Sequence, residues 1–138
     1  MFARTSGREV RAPDLAALQP TLILDALIGY GLTTSPRGVV ETMIDWANAC
    51  DAPTVSLDLP SGANATTGTT PGAVIRPAVT LTLALPKTGL AVVPTGVLFL
   101  ADLGIPPQVY KEAIGVPIRS PFGRRFWVRL RPLPLKRA

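Results

Sequence analysis

The chain has 138 residues, of which 47% are apolar, 6% aromatic and 17% charged, and this composition predicts one compact globular domain. It contains no histidine, which excludes Ser-His-Asp and Cys-His nucleophilic sites and any metal site built on imidazole. A single cysteine, Cys50, excludes an internal disulfide and a cysteine-rich metal cluster, so we expect a reducing, cytoplasmic environment.

The net charge of +5 is concentrated at the carboxyl end. Residues 119–138 carry seven cations and no acid, whereas the rest of the chain carries seven cations against nine acids. A basic tail can bind phosphates by releasing counterions, but no groove-reading motif accompanies it, so we do not expect a nucleic-acid partner. We expect no membrane partner either, because no segment approaches the ~20 uninterrupted apolar residues that span a bilayer.

The first half of the chain predicts a strand, a loop and a helix after a loose start. Residues 1–20 form the loose amino-terminal segment, in which residues 13–18 are expected to make a short turn of helix. The apolar run 21–27 predicts a strand that is buried on both faces. Residues 29–38 have the glycine and hydroxyl content of a loop, and apolar residues at helical spacing predict an amphipathic helix over Val39–Ala49.

The second half continues the alternation of strands and helices. Residues 54–59 predict a second strand, which completes a right-handed βαβ unit with the elements before it. The Thr- and Gly-rich residues 64–72 predict a loop. Residues 78–85 and 96–100 predict a third and a fourth strand, and residues 106–114 open with proline as a helix can.

Charged side chains come near the ends of three predicted strands. Asp25 and Asp58 lie near the carboxyl ends of two strands expected to be adjacent and parallel, and Lys87 follows a third. Ligands bind at that edge in open α/β sheets, and a carboxylate and an ammonium that meet there could transfer protons. The alternative is that Asp58 only caps the turn 60–62 through backbone N–H groups, and the spacing leaves both interpretations open.

The loop after the first strand offers groups that bind phosphate. Gly29 and Gly31 are followed by the hydroxyls of Thr33, Thr34 and Ser35, and the amino end of the next helix is expected to lie behind them. The pattern lacks the third glycine of a dinucleotide fingerprint, so a flexible surface loop is the alternative.

Four blocks of the sequence together resemble a known family. In order they are DALIGYGLTTSPRG (25–38), SLDLPSGANATTG (56–68), LTLALPKTGL (81–90) and LADLGIPPQVY (100–110). Their order and separation resemble the YjeF N-terminal domain, the NAD(P)H-hydrate epimerase family, over roughly residues 20–130, and the Asp-Leu-Pro-Ser-Gly segment at 58–62 is the most specific part.

The resemblance implies an α/β fold with a Rossmann-like, mostly parallel sheet flanked by helices. It implies epimerisation of the R and S forms of hydrated NADH or NADPH, which is nicotinamide nucleotide repair. One potassium ion per subunit is the implied cofactor, and a separate NAD(P)H-hydrate dehydratase is a possible partner. A non-catalytic binding or scaffold module of the YjeF type is the alternative function.

The resemblance also assigns roles to residues. Asp25 and Ser61 would hold the potassium ion, and Asp58 would act as acid and base at the hydrated nicotinamide. Lys87 would be a second acid/base group or a phosphate contact. The implied substrate-binding residues are Gly29, Tyr30, Gly31, Leu32, Thr33, Thr34, Ser35 and Asp58.

The chain departs from the family upstream of its first strand. Family members carry further units there, with an Asn-Asn-Gly-Gly-Asp loop, and this chain contains no Asn-Gly-Gly stretch. We therefore expect a sheet that is incomplete on its amino-terminal side, with a partial domain over 21–130 and a basic tail over 131–138. Such a chain would act as a fragment of impaired activity and would form a homodimer or self-associate.

Overall fold

Five strands form one sheet in a computed structural model that describes residues 5–115 and 117–131. In spatial and chain order they are β1 (Ile23–Asp25), β2 (Thr54–Leu57), β3 (Val79–Leu83), β4 (Val97–Ala101) and β5 (Trp127–Arg129). The first four strands are parallel, and β5 runs antiparallel to β4. The predicted mostly parallel α/β sheet is therefore confirmed.

Two α-helices accompany the sheet, α1 (Val39–Ala49) and α2 (Pro107–Ile114). The first has the bounds that its sequence predicts, and the second begins one residue later than expected. The helical turn expected at 13–18 is a 3₁₀ helix over Ala12–Ala17 that contacts α1, and a second 3₁₀ helix spans Thr88–Ala91.

Parts of two sequence predictions lie outside the described residues. These are the first four residues of the loose segment 1–20 and the basic tail 131–138 beyond Arg131. In the part of the chain that the structure describes, no helix is both long and apolar enough to cross a membrane.

The two faces of the sheet differ. One face is buried, because Ile44 and Ala47 of α1 pack on Ile23 of β1, and Leu90 of the second 3₁₀ helix packs with Leu98 of β4. The side chains of β1–β4 that point the other way form what we name the open face: Leu24, Val55, Leu57, Val79, Leu81, Leu83, Val97, Phe99 and Ala101. None of them belongs to either core cluster.

The prediction that the strand at 21–27 is buried on both faces is wrong. β1 covers only Ile23–Asp25, and Leu24 is 65% exposed. The reason is position, since β1 is an edge strand and no described helix packs on its outer face.

The structure corrects strand lengths and adds a strand. β2 and β3 end earlier than predicted because Asp58 and Ala84, the residues at their carboxyl ends, have φ of 71° and 61°, outside the extended range. The sequence prediction missed β5, which pairs Trp127 with Ala101 and Arg129 with Phe99. A three-residue edge strand after a Gly- and Pro-containing loop is short enough to escape pattern analysis.

Candidate active site at the carboxyl edge of the sheet

The carboxyl ends of the parallel strands bring the predicted charged residues to one edge. Asp25 is the last residue of β1, Asp58 follows β2, and Lys87 follows β3. The Lys87 ammonium forms an ion pair with Oδ1 of Asp58, and within the described ranges this is the one ion pair. The structure thus confirms that Asp58 and Lys87 meet at this edge.

The two carboxylate oxygens of Asp58 have different surroundings. Oδ1 accepts a hydrogen bond from the backbone N–H of Leu83 at 3.0 Å and one from the Thr82 hydroxyl at 3.3 Å, besides the ion pair with Lys87. Oδ2 has no hydrogen-bond partner among the described residues, and the side chain is 21% exposed. One oxygen is therefore fixed by the protein, and the other is available to a ligand.

The backbone of Asp58 is also unusual. Its φ is 71°, in the left-handed region that non-glycine residues seldom adopt, and its N–H donates to the carbonyl of Leu81 at 2.8 Å. Such a conformation costs on the order of 1 kcal/mol or more and persists only where surrounding contacts enforce it. Strain of this kind is concentrated at functional sites, which supports a role for Asp58 beyond folding.

Lys87 is held by three acceptors. Besides Asp58 Oδ1, its ammonium donates to the carbonyl of Leu83 at 2.9 Å and to the Thr82 hydroxyl at 3.4 Å. A lysine ammonium has three hydrogens, so these contacts use all of them. The geometry favours a role in orienting and charge-balancing Asp58 over direct contact with a ligand.

The cap of the turn 60–62 comes from Asp25, and not from Asp58 as the alternative interpretation had it. The buried Asp25 carboxylate accepts hydrogen bonds from the Ser61 N–H at 2.9 Å and the Ser61 hydroxyl at 2.5 Å. It also accepts from the Ser56 hydroxyl at 2.7 Å and, at 3.4 Å, from the N–H of Leu27. Asp25 therefore ties the end of β1 to β2 and to the turn that follows it.

Glycine is required in this turn. Gly62 has φ of 99°, and a Cβ there would lie 2.1 Å from the carbonyl oxygen of Ala73. Next to it, the Ser61 hydroxyl accepts a hydrogen bond from the N–H of Ile28 at 2.9 Å. The turn after Asp58 is thus joined to the start of the loop that was expected to bind phosphate.

The loop 29–35 is anchored by side-chain hydrogen bonds. Leu32 is buried, and its carbonyl accepts a hydrogen bond from the Asn64 amide at 2.9 Å. The Ser35 hydroxyl donates to the carbonyl of Pro71 at 2.5 Å. These contacts favour the ordered cradle over the flexible surface loop, although they already use the hydroxyl of Ser35.

Three residues of the loop face outward. Thr33 and Thr34 are exposed, and their hydroxyls have no hydrogen-bond partner in the described part of the chain. Tyr30 is 70% exposed and lines an open groove of about 330 Å³ whose other wall includes Lys87. Tyr30 of the loop and Lys87 of the ion pair therefore border the same space.

Sequence reasoning missed Thr82, which contacts both members of the ion pair. Thr82 and Thr80 are fully buried on the inner face of β3, where a hydroxyl needs a partner. Thr80 donates to the carbonyl of Thr95 at 2.8 Å, and Thr82 donates to Asp58. Two threonines at alternate positions of an apolar strand were the signal that could have indicated a polar contact beneath the site.

The residues expected to hold potassium supply suitable oxygen atoms but not a full shell. Potassium binds through oxygen atoms that replace its water, and Asp25, Ser61 and the carbonyl of Ile28 lie together. However, each Asp25 oxygen already accepts two hydrogen bonds and the side chain is 2% exposed. The described chain also has no cluster of three or more His, Cys, Asp or Glu residues that could hold a metal ion. These residues do not form a potassium site on their own.

Comparison with known proteins gives consistent matches. A family model described as "YjeF-related protein N-terminus" matches residues 2–89. A protein of Dehalogenimonas lykanthroporepellens named NAD(P)H-hydrate epimerase is 49% identical over 124 residues, which are 90% of this chain and 51% of that protein. A bifunctional NAD(P)H-hydrate repair enzyme of Salinibacter ruber is 41% identical over 113 residues, 79% of this chain and 21% of that protein.

A solved structure supports the fold. The crystal structure of the yeast protein YNL200c aligns with a TM-score of 0.60 at 24% identity, over 80% of this chain and 46% of that chain. The chain thus spans about half the length of the Dehalogenimonas protein and of the yeast protein.

Proposed function

Because the chain belongs to the YjeF-related N-terminal family, we propose that it supplies the acid/base part of a site that epimerises the R and S forms of hydrated NADH or NADPH. Relatives named NAD(P)H-hydrate epimerase support the reaction. The observation that carries the proposal is Asp58, with one oxygen fixed by Lys87 and Leu83 and the other unpartnered in the described structure.

The chemistry requires one group that removes and returns a proton. In the hydrated nucleotide, C6 carries a hydroxyl and is bonded to the ring nitrogen N1. Oδ2 of Asp58 accepts the hydroxyl proton while the C6–N1 bond opens, so that C6 becomes an aldehyde and the electron pair passes to N1. Closure on the other side of the aldehyde remakes the bond with inverted configuration, and Asp58 returns the proton. Ring opening and ring closure together conserve atoms and electrons, so the reaction needs no oxidant or reductant.

The neighbouring residues would bind and orient the dinucleotide. Lys87 balances the charge of Asp58 and keeps Oδ1 occupied, which leaves Oδ2 to face the substrate. We assign the phosphates to the loop 29–35, where Thr33 and Thr34 offer free hydroxyls, and the dinucleotide to the groove between Tyr30 and Lys87.

The other expectations remain predictions. Potassium binding by Asp25 and Ser61 would require further oxygen ligands besides these two residues, and the proton transfer by Asp58 does not depend on the ion. A separate NAD(P)H-hydrate dehydratase is the proposed consumer of the S form, in line with the bifunctional repair enzymes among the relatives. Cytoplasmic location also remains a prediction.

A chimera tests the function in a full-length context. In it, this chain replaces the matching 124 residues of the Dehalogenimonas epimerase. R-enriched hydrated NADH is incubated with the chimera, and the R-to-S ratio is followed by chromatography against the spontaneous rate. We expect a clear acceleration. A folded chimera that leaves the ratio at the spontaneous rate would contradict the proposal and favour a non-catalytic binding module.

A further inference from the structure

A further cavity lies where β3 and β4 end, next to the groove beside Tyr30. It has a volume of about 240 Å³ and is bounded by α2 and the loop 118–122. Its walls are mainly apolar, and we name it the α2 cavity by the residues Ala84, Leu100, Ile105, Tyr110, Ile118 and Phe122. Leu85 and Pro86 line both this cavity and the groove, so the segment that leads to Lys87 forms a wall shared by the two spaces.

The fourth sequence block, residues 100–110, has no role in the proposed reaction, yet it forms much of the α2 cavity. Leu100 comes from β4, Asp102 directly follows this strand, and Tyr110 lies on α2. In open α/β sheets, ligands bind beyond the carboxyl ends of the strands. The α2 cavity lies at that edge, so its place in the fold is one where this type of sheet binds ligands.

The size and lining of the α2 cavity limit what it can hold. An apolar cavity of about 150 Å³ can hold benzene, so a volume of about 240 Å³ leaves room for one ring with a short substituent. Phe122 is buried and Tyr110 is half-buried in its wall, and such side chains pack on an apolar group. A whole dinucleotide is too large for this volume.

Two charged side chains without an ion-pair partner also line the α2 cavity. Arg119 and Asp102 are exposed, and neither forms an ion pair in the part of the chain that the structure describes. One carboxylate oxygen of Asp102 accepts a hydrogen bond from the N–H of Gly104 at 2.8 Å, and the other has no partner among the described residues. A guanidinium and a carboxylate beside an apolar cavity complement a ligand that carries a carboxylate and an ammonium next to an apolar group.

We propose that the α2 cavity binds a free α-amino acid with an apolar or aromatic side chain. The side chain of the ligand enters the cavity, its carboxylate pairs with Arg119, and its ammonium pairs with Asp102. Both charged residues are exposed, so the ion pairs add little to the affinity and apolar contact supplies most of it. We expect a Kd on the order of 0.1–1 mM. The proposal is independent of the epimerase reaction.

Isothermal titration calorimetry of the full chain with three ligands of the same ring size tests the proposal. The ligands are L-phenylalanine, phenethylamine, which lacks the carboxylate, and 3-phenylpropionate, which lacks the ammonium. We expect saturable one-to-one binding of L-phenylalanine and at least about twofold weaker binding of each analogue, as the loss of one exposed ion pair implies. Absence of binding, or an analogue that binds as tightly as L-phenylalanine, would overturn the proposal.

Arg119→Gln locates the bound carboxylate. This variant should bind L-phenylalanine at least about twofold more weakly and bind phenethylamine as the unchanged chain does, because phenethylamine has no carboxylate to lose. Arg119 is exposed and makes no ion pair among the described residues, so the variant should fold, which circular dichroism checks. The matched control is Arg124→Gln, which removes the same charge from an exposed residue that does not line the cavity. Equal affinity of the two variants for L-phenylalanine would contradict the proposed pairing.

Asp102→Asn makes the reciprocal test of the ammonium. It should weaken the binding of L-phenylalanine and leave that of 3-phenylpropionate unchanged, and the asparagine oxygen can still accept the N–H of Gly104. Saturating NADH should leave the affinity for L-phenylalanine unchanged, because the α2 cavity and the groove share only a wall segment. Competition by NADH would overturn the proposal, since the cavity would then belong to the dinucleotide site.

Discussion

At the residue scale, Asp58 combines a strained backbone, one fixed oxygen and one free oxygen. The fixed oxygen depends on Lys87 and on the backbone of Leu83, both of which follow or end a neighbouring strand. The free oxygen borders solvent on the edge where ligands bind in this type of sheet. This asymmetry is what a group that exchanges a proton with a substrate requires.

We predict that Asp58→Asn in the chimera lowers kcat by roughly 10²–10⁴-fold with little change in KM. The amide keeps the size of the side chain but cannot accept and return the proton as the carboxylate does. Asparagine also tolerates the left-handed φ of 71°, so the variant should fold normally. Near-normal turnover would show that the assignment of Asp58 is wrong. The measurement is steady-state kinetics of the change in the R-to-S ratio.

Lys87 serves as the companion variant in the same assay. Lys87→Met removes the charge that orients Asp58 and should lower kcat, whereas Lys87→Arg, which keeps a cation there, should recover part of the loss. A KM increase with unchanged kcat would instead identify Lys87 as the phosphate contact that the family resemblance allows.

Sequence patterns predicted that the charged residues of the site lie at one edge of the sheet, but they did not predict the hydrogen-bond partners of these residues. Strand-end positions are enough to bring Asp25, Asp58 and Lys87 to the carboxyl side of a parallel sheet. Which oxygen of Asp58 stays free depends on the register between β2 and β3 and on the bend at Asp58, and neither can be determined from spacing. For the same reason the contact with Thr82 was missed.

At the element scale, Asp25 connects β1, β2 and the turn after Asp58. Its carboxylate accepts from both Ser56 and Ser61, and Ser61 in turn receives the N–H of Ile28. The position of Asp58 therefore depends on the buried carboxylate of Asp25, which binds Ser61, three residues after Asp58.

We predict that Asp25→Asn destabilises the chimera by about 1–3 kcal/mol, because an amide nitrogen cannot accept the hydrogen bonds of Ser61 or Ser56. Thermal unfolding should occur several degrees lower. Asp51→Asn is the control, since Asp51 is exposed. An unchanged melting temperature for Asp25→Asn would show that the buried network does not stabilise the edge.

Sequence patterns predicted some elements better than others. The helix Val39–Ala49 was predicted with its observed bounds because its apolar residues follow one helical face. The strand at 21–27 was given two buried faces because an apolar run does not reveal whether a strand is central or at an edge. β5 was missed because its three residues, Trp127–Arg129, are too few to establish an alternating pattern.

At the scale of the whole molecule, the described residues form the edge of a site and leave one face of the sheet without a packed layer. The groove, the loop 29–35 and the Asp58–Lys87 pair are all present, whereas the open face and the outer edge of β1 are uncovered in the described structure. The expected tendency to self-associate is consistent with these surfaces and remains a prediction. Displacement of a bound substrate by only ~1 Å can lower a reaction rate by about a hundredfold. We therefore expect an uncovered sheet face beside the site to lower the rate by a larger factor.

The rate at which the R-to-S ratio of hydrated NADH approaches equilibrium tests the central claim most directly. It is measured with this chain alone, with the unmatched half of the Dehalogenimonas epimerase alone, and with both together. We predict the spontaneous rate for either polypeptide alone and a clear acceleration for the mixture, which Asp58→Asn abolishes. If this chain alone accelerates the reaction as much as the mixture does, the claim that its site needs a covering layer is wrong.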